Sequence, residues 1–241
     1  MSSAVLESAE EEVLVRGDMR GDRPLIGDSH RLRAEALFAL LRELPKKSVL
    51  AIGGPSGSGK SEIASLLGSS FIRHGRPAYV LSCDNYPWRP PRANDQHRED
   101  LFKEGERAAL VGYLGTKNEI DFNRIGEIVN QFKQGVASIP LRIMDTTEHY
   151  VFNDRLLVDF GGIDILLLEG TWSCTVANTT RRVFLETNFT ETIEHRRKRA
   201  RDPITPFGEL VLGIEQEKLN AISKQCDFII DMQANIRKAN T

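Results

Sequence analysis

Few folds can accommodate the octapeptide Gly54-Pro55-Ser56-Gly57-Ser58-Gly59-Lys60-Ser61 where it stands, between a short apolar run and an amphipathic helical pattern. It satisfies the P-loop (Walker A) pattern GxxxxGK[ST] in full. Its glycines let the main chain curl until successive N–H groups point inward, and the helix that follows adds its positive end. Such a nest suits a polyphosphate. Lys60 supplies a cation for the β- and γ-phosphates, and Ser61 offers a hydroxyl to a divalent ion. ATP with Mg²⁺ is therefore the expected ligand of Gly54, Pro55, Ser56, Gly57, Ser58, Gly59, Lys60 and Ser61.

The flanks give the motif its context. Ser48–Gly53 is continuously apolar and rich in β-formers, as a strand buried on both faces requires. Ile63, Leu66, Leu67 and Phe71 then share one helical face. Further strands are expected at Ala78–Ser82 (running on to Cys83), Ile163–Leu168, Arg182–Leu185 and Phe228–Ile230. Helical patterns separate them, one through Ile120, Ile125, Ile128, Val129 and Phe132, closed by Gly135, and another from Leu210 to Ile222. Strands alternating with helices predict a three-layer α/β P-loop NTPase fold with a mainly parallel central sheet. Pro87-Trp88-Arg89-Pro90-Pro91 reads as an irregular loop beyond a strand end.

Upstream, residues 1–27 are polar and contain two Arg-Gly-Asp triplets; a mobile or loosely packed arm is the expectation. Leu32, Ala36, Leu37, Leu40 and Leu41 predict a helix within residues 28–46, ended near Pro45. Residues 28–241 are expected to form a single domain: that helix, then a core over 47–241 with a substrate-side insertion at about 85–150. A chain of 241 residues with 40% apolar and 27% charged residues can bury a core unaided. Its net charge of −2 gives no general attraction to nucleic acid. The three cysteines are scattered, with no zinc spacing, and no run is long and apolar enough to span a bilayer. With an acidic N-terminus lacking a signal core, the expectation is a cytoplasmic chain with reduced thiols, no membrane and no nucleic-acid partner. Homo-oligomerisation stays open.

Two acids stand at strand ends, where open parallel sheets gather their ligands. Glu169 closes Leu166-Leu-Leu-Glu169 and could hold Mg²⁺; the alternative is a charge that marks the strand end. Asp84 opens Asp84-Asn85-Tyr86 and could accept a proton from an attacking hydroxyl; alternatively it makes an Asx-turn. Later, His195-Arg196-Arg197-Lys198-Arg199-Ala200-Arg201 packs five cations into the six positions after the histidine. An Arg-rich lid helix over the phosphates is the leading reading, beside a solvated face or a nucleic-acid patch.

The ordered series GPSGSGKS, Cys83-Asp84-Asn85-Tyr86, Glu119-Ile-Asp121-Phe122, Ile139-Pro140, Leu168-Glu169-Gly170, the run ending Arg201-Asp202, and Cys226-Asp227 resembles the uridine kinase and phosphoribulokinase family, over roughly residues 49–231. The resemblance implies ATP, Mg²⁺ and a small-molecule hydroxyl acceptor. It implies that Asp84 is the catalytic base, that Lys60, Arg197 and Arg201 act on the phosphoryl group, and that Ser61 and Glu169 serve the metal. Tyr86 and Asp121 fall at acceptor-side positions. Where uridine kinases carry a Tyr-Asp pair and a nearby His, this chain has Pro140-Leu-Arg142-Ile-Met-Asp145 with His149 farther on. Arg142 suits an anionic group on the acceptor or a surface position, and His149 a ligand or a loop. A nucleoside, sugar, polyol or hydroxy acid is thus an admissible acceptor. The competing reading is a regulatory nucleotide-binding ATPase without a small acceptor.

Overall fold

The computed structural model describes residues 19–20, 25–145, 151–187, 192 and 205–239. Helix α1 (Asp28–Leu41) leads into β2 (Ser48–Gly53), the P-loop and α2 (Lys60–Arg73), preceded by a short β1 (Met19–Arg20). Next come β3 (Ala78–Ser82), a 3₁₀ turn over Cys83–Asn85, α3 (Pro91–Tyr113) and α4 (Phe122–Lys133). The hairpin β4 (Ser138–Asp145) and β5 (Val151–Asp159) precedes β6 (Ile165–Glu169), β7 (Arg181–Leu185), α5 (Pro206–Ser223), β8 (Phe228–Ile230) and β9 (Ile236–Lys238).

The central sheet runs β3-β6-β2-β7-β8-β9, and all its pairings are parallel except β8 with β9. Alternation along each strand divides the core into two layers. Leu50 and Ile52 of β2, with Val80, Leu167 and Val183, meet Ala34, Leu37 and Leu41 of α1 and Ile63, Leu67 and Phe71 of α2. Val49 and Ala51, with Leu81, Leu166, Leu168 and Phe184, meet Ile125, Ile128, Val129 and Phe132 of α4 and Leu219 of α5. This two-sided burial is why β2 shows no polar alternation. A satellite cluster joins Leu110 and Tyr113 of α3 and the following Leu114 to Val211 and Ile214 of α5.

The predicted strands are present within one or two residues of their expected bounds, and the cysteines are free and buried. Three features differ from expectation. Pro91 opens a long helix rather than closing a loop: proline lacks only an N–H that the first turn leaves unused. That helix is broken at Gly105 and Glu106, whose backbone angles are not helical. Strands β4 and β5 pair antiparallel and, with β1 parallel to β4, make a separate three-stranded sheet. Part of the expected arm, Met19–Arg20, is therefore strand, whereas residues 1–18 and 21–24 lie outside the described residues. No helix among the described residues is long and apolar enough to cross a membrane.

Leu50 is fully buried in the layer shared by α1, α2 and the sheet. Leu50→Ala is expected to lower unfolding stability by about 2–5 kcal/mol, read as a shifted denaturant midpoint at unchanged slope.

Candidate active site

Strand register sets the site. Ile52 of β2, Glu169 of β6 and Ser82 of β3 are lateral neighbours, so three chain segments leave the sheet at one level. From the first rises the P-loop. Gly54, Gly57 and Gly59 have φ of 151°, 78° and 86°, values that side-chain-bearing residues avoid. A Cβ on Gly54 would lie 2.8 Å from the Leu185 carbonyl oxygen, so the loop seats against β7 only as glycine. Lys60 is buried and its Nζ donates to the Pro55 carbonyl at 2.8 Å, which holds the ammonium across the loop it serves.

From the second segment comes Glu169, 1% exposed, which accepts a 3.0 Å hydrogen bond from Ser61 Oγ. Hydroxyl and carboxylate are hard oxygen donors of the kind Mg²⁺ takes, and two of them leave most of its shell to phosphate and water. From the third comes Asp84, exposed, in the 3₁₀ turn rather than at the end of the strand proper. A Cβ on Gly170 would meet Asp84 Oδ1 at 3.0 Å. Asp84 therefore sits immediately beside the residue that follows Glu169. Lys60, Ser61, Glu169 and Asp84 are brought together.

Other sequence candidates are placed differently. Tyr86 is fully buried in the core, with its hydroxyl accepting from the Arg142 N–H at 3.3 Å. Asp121 caps α4, its carboxylate accepting from Arg124 N at 3.0 Å. The Arg142 guanidinium lies over the Tyr86 and Phe152 rings, 5.7 and 5.1 Å from their centroids, and donates to the Pro87 carbonyl at 3.3 Å. His149, Arg197 and Arg201 lie outside the described residues, and so does the expected lid helix. Thr192, at the head of the basic run, is described: it is buried, and its hydroxyl donates to the Ser56 carbonyl at 2.9 Å.

Two groups of residues escape a reading of the sequence. From α1, the fully buried Arg33 donates to the Ser58 carbonyl at 3.1 Å and the Ser29 carbonyl at 3.2 Å. Burial lowers its pKa, and Glu62 and Asp231 act in the opposite sense. The His30 ring lies 2.6 Å from where a Cβ on Gly59 would stand. Helix α1 thus braces the P-loop from beneath. The available signal is a cation, Arg33, beside the Ala34–Leu37–Leu41 stripe.

The second group is a buried polar network. Glu119, 2% exposed, accepts from Asn94 Nδ2 at 3.1 Å, from Arg98 Nε at 3.0 Å and Nη2 at 2.6 Å, and from Gly115 N at 2.6 Å. Arg98 also faces Glu215 of α5 at 3.7 Å. Burial works against the Arg98 charge, but Glu119 and Glu215 outweigh it and raise its pKa. Burial pushes Glu215 up to about 7; Arg98 opposes the rise, Glu119 adds to it, and the charges of Lys60 and Asp84 also act on it. Glu215 is therefore tied through Arg98 to the Glu119 network. Its position in phase with Val211 and Ile214 on the buried face of α5 is the readable sign.

No family model matches the chain. Over 192 residues, 78% of the chain, it is 40% identical to a bifunctional alpha-galactosidase/sucrose kinase of Mediterraneibacter gnavus, and the match spans 20% of that relative's length. Phosphoribulokinase from Rhodobacter spheroides aligns with a TM-score of 0.57 at 12% identity, over 77% of this chain and 70% of that one. D-glycerate 3-kinase from Cryptococcus neoformans aligns with a TM-score of 0.55 at 12% identity, over 86% and 98%. At such identities the structural likeness is one of fold: the chain has the three-layer architecture of these P-loop kinases.

Arg33→Met keeps bulk but removes the bonds to Ser29 and Ser58. It is expected to cost about 2–3 kcal/mol of stability and to weaken Mg²⁺–ATP binding about ten-fold, read by calorimetry on protein whose fold is checked by circular dichroism. Glu215 gives a pH test. Its folded pKa of about 7 stands above the ordinary 4.5. Its favourable contribution is thus complete below pH ~4.5 and lost as pH rises through ~7, at most about 3 kcal/mol. Wild type is expected to lose stability relative to Glu215→Gln across that window, measured by urea unfolding at stepped pH.

Proposed function

We propose that the chain is an ATP-dependent kinase that transfers the γ-phosphoryl group to a hydroxyl of a small carbohydrate. The observation that carries this reading is the position of the Asp84 carboxylate beside Gly170, next to the Ser61–Glu169 pair at the mouth of the P-loop. A nucleotide-binding module needs the nest and the cation. A carboxylate on the facing side, exposed and at the same level, is what a hydroxyl acceptor needs.

The chemistry follows from the placement. The main-chain N–H groups of the loop and Lys60 hold and neutralise the phosphate oxygens. Ser61 and Glu169 would hold Mg²⁺, which when bound supplies charge neutralisation on the same oxygens. Asp84 accepts the acceptor's hydroxyl proton as its oxygen bonds to the γ-phosphorus and the bond to the bridging oxygen of ADP breaks. Catalysis is then chiefly positioning and electrostatics. Arg197 and Arg201, which follow the anchored Thr192 in the chain, are proposed to close over the transferring group.

The acceptor class draws on the 40% identity to a protein named in part as a sucrose kinase. With this chain carrying a complete P-loop, we read the matching part of that protein as its kinase part. A fully buried Tyr86 and a ring-stacked Arg142 leave no aromatic slot for a nucleobase at those two positions.

The test is a panel of sugars, nucleosides, polyols and hydroxy acids with Mg²⁺–ATP, scored by ADP release and by mass of the phosphorylated product. At least one sugar is expected to be turned over. Asp84→Asn is expected to keep ATP affinity and lose transfer by ~10²–10⁴-fold. Acceptor-independent ATP hydrolysis that survives Asp84→Asn would instead mark a regulatory ATPase.

A further inference from the structure

A groove of about 840 Å³ opens between the loop that follows Asp84 and helix α3. Trp88, Arg89, His97, Tyr113, Lys117 and Asn118 line it. Nothing in the phosphoryl-transfer arrangement uses it. Trp88 is 52% exposed, unusual for the largest apolar side chain, yet its indole N–H donates to the Lys117 carbonyl at 2.8 Å. One edge of the ring is tied and much of the rest is open.

The walls are built rather than incidental. The Tyr113 hydroxyl donates to Asn94 Oδ1 at 2.6 Å, Arg89 Nη1 donates to that hydroxyl at 3.4 Å, and the His97 ring stacks edge-on to Tyr113 at 5.0 Å. Asn94 belongs in turn to the Glu119–Arg98–Glu215 network. The wall of the groove is thus part of one buried polar frame that links α3 to α5. The loop is fixed as well: Asp121 N donates to the Tyr86 carbonyl at 2.8 Å, Trp88 N donates to the Glu119 carbonyl at 2.9 Å, and Pro87 bridges Ile120. Trp88 follows Asp84 by only four positions, so their Cα atoms lie at most about 14 Å apart.

We propose that this groove receives the distal ring of a two-ring carbohydrate whose other ring presents its hydroxyl to Asp84. The inference rests on the kinase reading above. A pyranose or furanose is amphipathic in the way the groove is. Its C–H face is apolar and suits an indole tied at its N–H and about half open, while its hydroxyls radiate at the rim, where Arg89, His97, Lys117 and Asn118 offer donors and acceptors. A volume near 840 Å³ falls in the range of small-molecule sites and is generous for one ring alone. Because wall and loop are already tied, little ordering is needed on binding.

The experiment uses the full chain with sucrose as the two-ring probe, fructose and glucose as one-ring probes, and uridine as a competing planar ligand. In steady-state assays, kcat/KM for sucrose is expected to exceed that for fructose. Trp88→Ala should lower the sucrose-to-fructose ratio of kcat/KM by about ten- to a hundred-fold, mainly through the KM for sucrose. Trp88→Phe, which keeps an aromatic face, should recover much of the ratio and shows that the alanine result is not misfolding. Tryptophan fluorescence gives a readout free of turnover, since Trp172 is buried and Trp88 is open. Sucrose should perturb the emission of wild type and not that of Trp88→Ala. An unchanged ratio in Trp88→Ala, or emission that answers to uridine and not to sucrose, overturns the groove proposal while leaving the kinase reading intact. A fluorescence response to sucrose with no sugar phosphorylated supports the groove and sinks the assignment of the acceptor instead.

Discussion

The site depends on the register of three parallel strands. Because Ile52, Glu169 and Ser82 stand side by side, the P-loop, the Glu169 carboxylate and the turn bearing Asp84 emerge together from one edge of the sheet. A slip of one residue in β6 would turn Glu169 to the other face and replace it with Leu168 or Gly170. The register is fixed by burial on both faces: Leu166 and Leu168 fit the α4 layer, while Ile165 and Leu167 fit the α2 layer. Packing that is wholly apolar therefore determines the placement of every charged group in the centre.

That sheet edge is legible in the sequence because its requirements are local. A P-loop needs glycines at positive φ and a lysine at a helix start, and Gly54, Gly57, Gly59 and Lys60 meet those needs within eight residues. Buried parallel strands need unbroken apolar runs, which makes β2, β3 and β6 readable. The remainder needs tertiary information. The Arg33 brace joins residues 25 apart, and the Glu119 contact of Arg98 joins residues 21 apart, with nothing in either local sequence to name the partner. The hairpin β4–β5 is hidden because Pro140 sits inside it; β4 accommodates it with a register shift between Leu141 and Ile143 nearby. Tyr86 and Asp121 show the opposite limit: their positions in the chain stand out, but the first is enclosed and the second caps a helix, duties that a motif does not distinguish from contact with an acceptor.

Helix α1 changes how the P-loop can be understood. A loop with three glycines at positive φ has few internal restraints, and its N–H groups must nevertheless converge before a polyphosphate arrives. Arg33 answers on one side, bonding the Ser58 carbonyl from a fully buried position. Thr192 answers on another, bonding the Ser56 carbonyl. Both bonds engage carbonyls, so they turn those oxygens outward and leave the N–H groups to the ligand. A buried cation beneath the nest also adds positive potential where negative charge is to be held.

Thr192 has a second consequence, for the chain beyond it. The Arg-rich run lies in the chain between this docked residue and Thr205, which caps α5, its hydroxyl accepting from Gly208 N at 3.0 Å. Helix α5 then carries Glu215 to Arg98 and, through Arg98 and Glu119, to the frame of the Trp88 groove. The described residues that flank the basic run, Thr192 and Thr205, thus belong to the contacts of the P-loop and to the cap of α5. Lys218 strengthens the far tie by donating to the Val111 and Leu114 carbonyls at the end of α3. Helices α3 and α5 are thereby joined by a buried ion pair as well as by bonds to main-chain carbonyls, so the helix that follows the basic run also fixes the wall of the Trp88 groove.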